Sequence, residues 1–403
     1  MERNRFNNFQ QAEWIHENPK AEVVLQAVRI GELGITAIPN EVYGITGLKL
    51  KRQSPLAATF NLELANGATG YIPPPEQHRL GGYTTWPART AGLDEQAEPL
   101  IVETLLSLLE TVAGKKRRAI VHPNSPYSEA VISNKPIAYW RLADMISTQV
   151  EDAVGENHAR HQGAIALFLP GPNGSGFTAG DYGSRSVYLA GGHVEASLDQ
   201  LQRKYSVAMW FFNALPVDAR DCTGVLLSNE SETLLIDGKS AGEQSGKLVL
   251  RVGKKSFTGK THIARNHWQH VTITRDEQDV RVYLDGRAEP EIDATIEASK
   301  SSKRWLIGSD ENSTTTFDGK VAEVAVFDRV LSAAGIVDLY AKSGMTPPPR
   351  PKPTFVLGAK PSDAEARKKY ADAVLASKPV AFWRLHDESN QAAEDSSGQH
   401  SAI

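Results

Sequence analysis

The chain holds a single cysteine, Cys222, among 403 residues. No intrachain disulfide can form, so small disulfide-stapled scaffolds are excluded; large extracellular domains without disulfides are not, and the compartment stays open. Long apolar runs are also missing. None approaches the ~20 residues that cross a bilayer, so no membrane span is expected. The first residues, Met1 to Gln10, lack the apolar core of a secretory leader, which leaves a cytoplasmic protein or one whose natural start lies further upstream. Charge of one sign is lacking as well. The net charge is −4, so no global field draws in nucleic acid or an anionic membrane, and no nucleic-acid partner is expected.

What is present is a repeat. Lys135-Pro-Ile-Ala-Tyr-Trp-Arg-Leu142 returns as Lys378-Pro-Val-Ala-Phe-Trp-Arg-Leu385. The match extends to Tyr127 against Tyr370 and to Glu151–Gly155 against Glu394–Gly398. A whole domain is expected between the copies, and a second one opens too close to Ile403 to complete a core. The boundaries that follow are 1–114 for a first block, 115–126 for a linker, 127–343 for a complete domain, 344–362 for a Pro-rich linker, and 363–403 for the start of a second repeat.

The first block mixes elements. Residues 4–18 place Phe6, Phe9, Trp14 and Ile15 at helical spacing. Glu22–Ile30 and Ile35–Pro39 read as a hairpin, Val42–Lys51 as a helix, Thr59–Leu64 as a strand, and Glu98–Val112 as the clearest helix, with Pro99 in its first turn and Gly114 beyond its end. Lys115-Lys-Arg-Arg118 reads as a solvated junction. Ala37-Ile-Pro-Asn-Glu-Val42, Ala65-Asn-Gly-Ala-Thr-Gly-Tyr-Ile72 and Gly81-Gly-Tyr-Thr-Thr-Trp86, in that order and spacing, resemble the closing part of the catalytic domain of neutral ceramidase-like hydrolases. The resemblance implies zinc in the full-length parent, with Glu41 and Tyr71 as two of its ligands and a lipid-like amide as substrate. It departs at Asn40, where the family carries Gly, and at Ala68, where it carries Tyr. A hydrolytic zinc also needs imidazoles, and the block holds only His16 and His78, outside the family's histidine motifs. The site is therefore incomplete, and no catalysis is expected of this chain alone.

From Tyr127 to Lys342 the pattern is short strands broken by Gly, Asp, Asn and Ser, entered by a helix at Ser128–Asn134 and closed by one at Ser332–Ala341. Val280, Val282 and Leu284 alternate with Arg281 and Tyr283, and Asp285-Gly286 signals a turn. The fold class expected is mainly β, a two-sheet antiparallel jelly-roll sandwich preceded by a partial α+β block. Tyr205-Ser-Val-Ala-Met-Trp210, Asn266-His-Trp-Gln-His-Val271, Val282-Tyr-Leu-Asp-Gly286 and Phe317–Ser332 resemble a laminin G-like domain of the concanavalin A-like class. That resemblance implies a glycan or protein ligand, and a structural calcium for which Asp152, Asn157 and Glu323 are the oxygen donors to consider. Trp140, Trp210, Trp268 and Trp305 sit in strand patterns and are expected in the core. His267 and His270 should face opposite sides of a strand, and His158 and His161 read as a polar loop; neither pair suits a shared metal.

Thr346–Pro353 reads as a stiff polyproline spacer, Asp363–Leu375 as a helix, and Val380–Leu385 as a strand with an open edge. The composite expectation is a fragment of an exported, extracellular or periplasmic, zinc amidohydrolase carrying laminin G-like modules. The alternative is a non-catalytic adhesion protein built on those modules.

Overall fold

The computed structural model describes residues 13, 16, 17, 20–68, 70–86, 88, 91–145, 148–296, 302–311, 315–349, 364–382 and 397. The expected pattern at Phe6, Phe9, Trp14 and Ile15, the tract Arg350–Pro353, and Trp383 to Leu385 of the second copy lie outside these residues. So does the segment matching Glu151–Gly155, Ser397 apart. Residues 1–352 form one unit and 353–403 another.

The first block opens with the hairpin β1 (Gln26–Ile30) and β2 (Leu33–Ala37), turned at Gly31, whose φ of +60° favours glycine. A two-residue strand β3 (Glu41–Val42) leads into the 44–53 helix. That helix carries the chain across to β4 (Ala58–Leu62), which lies parallel to β2, as a crossover connection allows. β5 (Tyr71–Ile72) then pairs in parallel with β3. The 97–113 helix lays Ile101, Leu105 and Leu109 against Ile38, Leu50 and Leu56 to close a small core. It ends at Gly114 in the left-handed conformation. The basic run after it is neutralised at once: Arg117 pairs with Glu103 and Glu110, and Lys115 with Glu32.

The second part is strand after strand. In chain order these are β6 (Ala138–Trp140), β7 (Gln149–Val150), β8 (Ala159–Gln162), β9 (Ile165–Pro170), β10 (Thr178–Ala179), β11 (Tyr182–Gly183), β12 (Arg185–Ala190), β13 (His193–Ser197), β14 (Lys204–Asn213) and β15 (Cys222–Asn229). There follow β16 (Glu232–Asp237), β17 (Lys247–Val252), β18 (Lys255–His262), β19 (Trp268–Asp276), β20 (Asp279–Leu284), β21 (Ile292–Thr295), β22 (Arg304–Ile307) and β23 (Asp318–Phe327). The front sheet runs β21-β20-β19-β14-β23-β12-β9, with β6 also on β23. The back sheet runs β18-β17-β16-β15-β22-β13-β8-β7. Pairing within both is antiparallel, so the sandwich expected from the sequence is the one observed.

β14 shows why the core has two layers. Val207, Met209 and Phe211 point between the sheets, while Ala208 and Trp210 point outward. The outward side is roofed by the 126–133 and 333–341 helices, which bring Tyr127 and Tyr340 onto Trp210. Trp140, Trp210 and Trp305 are buried and Trp268 nearly so, as strand aromatics should be. The strands between 149 and 183 and β21 do not stand out in the sequence. They are two to six residues long and, β9 apart, carry little apolar patterning of their own.

In the second unit the helix 364–376 ends as the 126–133 helix does. Lys378 takes a positive φ like Lys135, and its N–H donates to the Leu375 carbonyl as that of Lys135 donates to Ile132. The repeat is thus structural as well as textual.

Candidate functional site

A groove opens where β14 ends and β19 begins. Phe212 and Trp268 are cross-strand partners with ring centroids 5.7 Å apart. Lys320, opposite Phe212 on β23, holds its ammonium 5.1 Å from the Phe212 ring centroid. Asn266, at φ +59°, turns the chain into β19 and sets the exposed His267 beside Trp268. The His267 Nδ1 rests 2.8 Å from the Arg265 carbonyl oxygen, which leaves Nε2 towards solvent. The Pro347–Pro349 tract forms a further wall. The cavity measures about 470 Å³. Its make-up is an aromatic pair fringed by amide, imidazole and ammonium groups.

The sequence-predicted donors fall in three places. Glu41 and Tyr71 stand opposite each other across β3 and β5. The Tyr71 ring meets Tyr83 edge-on, and the neighbouring Tyr83 and Glu41 side chains push the Tyr71 pKa upward. As a zinc donor set this is two oxygens, fewer than the three protein ligands a hydrolytic zinc takes. Asp152 and Asn157 meet in one turn. Asp152 accepts backbone N–H bonds from Tyr139, Val154 and Asn157, while the Asn157 amide donates to the Ile137 carbonyl and accepts from Gln200. Glu323 lies at a bulge in β23, at φ +54°, and accepts from Tyr139 Oη and Ser184 Oγ. These oxygens are engaged by protein donors. Among the described residues no group of three His, Cys, Asp or Glu side chains is placed to hold a metal ion.

The histidines divide as expected at 267 and 270: His267 is exposed and His270 fully buried, its pKa pushed down to about 3 by burial. His161 corrects the sequence reading. It is not in a polar loop but on β8, facing inward and buried. Its one local signal was the alternation of Ala159 and His161 with Arg160 and Gln162.

With the geometry in view, residues 188–337 match the laminin G family model described as the concanavalin A-like lectin/glucanases superfamily. This stretch has the laminin G-like, concanavalin A-like lectin fold. No curated protein sequence matches the chain. Among solved structures, domain 4 of a GH43 extracellular arabinanase from Geobacillus stearothermophilus, in complex with arabinotriose, aligns at 15% identity and a TM-score of 0.35, covering 51% of this chain and 98% of that domain. A Trypanosoma rangeli sialidase aligns at 14% identity and 0.39, over 51% of this chain and 32% of the sialidase. The binding domain of Paraclostridial Mosquitocidal Protein 1 aligns at 13% and 0.40, over 52% of each chain. No helix among the described residues is long and apolar enough to cross a membrane.

Proposed function

We propose that the laminin G-like module binds a glycan and that the Phe212–Trp268 groove holds it. The carrying observation is the aromatic pair at the groove floor with Asn266, His267 and Lys320 around it. An apolar floor with a few convergent polar groups is the usual make-up of a small-ligand site. The test is a glycan array with the full chain, followed by titration of the best binder. Trp268→Ala and His267→Ala, each shown by circular dichroism to be folded, should weaken binding about tenfold or more. An array without a binder, or titrations that neither variant changes, would sink the reading.

A second reading concerns the first block. The register that sets Glu41 beside Tyr71 favours an origin in an exported zinc amidohydrolase of neutral ceramidase type, acting on a lipid-like amide, with the glycan-binding module as its localising appendage. Two oxygens cannot make that site, so no hydrolytic step is assigned to this chain. The coding sequence upstream of Met1 decides the matter: a leader and histidine-bearing zinc motifs are expected there, and their absence removes the reading.

A further inference from the structure

A second cavity, of about 310 Å³, lies where the helix 75–80 packs over β9, the edge strand of the front sheet. The first block contributes Glu76, Arg79 and Gln96 to its wall, and the sandwich contributes His161, Ile165 and Leu167. His161 is the telling residue. It is 5% exposed, at a core-facing position of β8, and neither ring nitrogen has a hydrogen-bond partner. The nearest acid, Asp144, stands 3.9 Å from Nε2, beyond hydrogen-bonding reach. Burial lowers the imidazole to about 4, so at neutral pH it offers one donor and one acceptor. Glu76 Oε1, on the same wall, is also buried and without a hydrogen bond, facing only the Lys49 ammonium at 3.8 Å. Leaving a buried polar group unsatisfied costs ~1–3 kcal/mol, so two such groups around one cavity call for an occupant that both donates and accepts.

The charges narrow the occupant. Lys49 is buried against Glu98 at 3.0 Å and stands 3.8 Å from Glu76; the wall itself carries Lys49, Arg79 and Glu76, and Glu98 behind it balances the second cation. No net field selects an ion. Ile165, Leu167, Pro75 and Pro99 supply an apolar surface. We propose that this cleft between the first block and the sandwich is a binding site for a small uncharged polyol of monosaccharide size. Its hydroxyls would satisfy His161 and Glu76 together, and its C–H face would pack on the leucine and isoleucine. The volume sits at the low end of the ~300–1,000 Å³ usual for small-molecule sites, which suits one or two sugar rings rather than a chain. The inference stands apart from the Phe212–Trp268 groove and does not rest on it.

The experiment is saturation-transfer NMR on the full chain with glucose, galactose, mannose and arabinose, with acetate and inorganic phosphate as ionic comparators. At least one sugar should bind and shift the His161 ring resonances, identified by their loss in His161→Leu. Affinity should fall about tenfold or more in Arg79→Ala and in the cavity-filling Leu167→Trp, and stay unchanged in Trp268→Ala. His161→Leu should fold, melt at a higher temperature than the parent, and fail to bind. Binding by no sugar, binding by the anions alone, binding that persists in both Arg79→Ala and Leu167→Trp, or binding lost in Trp268→Ala would each overturn the proposal.

Discussion

Glu323 shows how much one side chain can organise. Placed at the bulge of β23, it draws in Tyr139 from β6 and Ser184 from the approach to β12, with Arg141 3.8 Å away. Arg141 in turn donates to the carbonyls of His122 and Pro123, tying the linker to the sandwich. Glu323→Ala would leave the Tyr139 and Ser184 hydroxyls without their acceptor and Arg141 without its nearby counter-charge, and should cost about 3–5 kcal/mol in chemical denaturation, with Glu323→Gln costing distinctly less. Burial raises the Glu323 pKa in the fold, so its contribution is full below the ordinary carboxylate range and declines as pH rises through the raised value. The desolvated histidines act the other way. His122 and His161 are lowered to about 4 and His270 to about 3, all by desolvation first, so their contribution is present above the unfolded value of 6.5 and is lost as pH falls towards 4. The melting temperature should therefore drop across that acid window, and less steeply in His270→Phe; an unchanged slope would count against these assignments.

At the scale of elements, the buried pair Lys49–Glu98 fastens the 44–53 helix to the 97–113 helix, with Thr46 donating to the same carboxylate. Lys49→Met strands Glu98 and should destabilise by roughly 3–5 kcal/mol, whereas Lys49→Met with Glu98→Leu should recover most of the loss, as urea melts would show. Elements of this kind were legible where the local pattern was strong. The 97–113 helix carries its own apolar stripe and Gly114 stop, and β19, β20 and β23 alternate openly, so all were predictable to within a few residues. β8 and β9 were not, because β8 shows only a four-residue alternation and β9 a short apolar run that does not mark a strand by itself; pairing with β13 and β12 fixes them. For the same reason His161 read as a loop residue. The site was legible only in parts: the resemblance singled out Glu41 and Tyr71, which the fold sets side by side, but Phe212 meets Trp268 through a register that no local signal encodes.

Across the molecule, the first block and the sandwich share more than a linker. The 75–80 helix covers β9, and Arg52 stacks 4.5 Å over Tyr182. Residues 1–352 should accordingly melt in one transition by calorimetry, with removal of 1–114 exposing the β9 edge and promoting association visible by size-exclusion chromatography. Two well-separated transitions would show that the block and the sandwich are independent. The place of β23 has a further consequence, for synthesis. It lies at the middle of the front sheet, between β14 and β12 and against β6, yet it is the last strand of the sandwich to be made. Until the ribosome has passed Phe327, the front sheet stands as two halves with open facing edges. The nascent protein therefore has its longest exposure to misassembly just before completion, and its folding should be late, slow and abrupt.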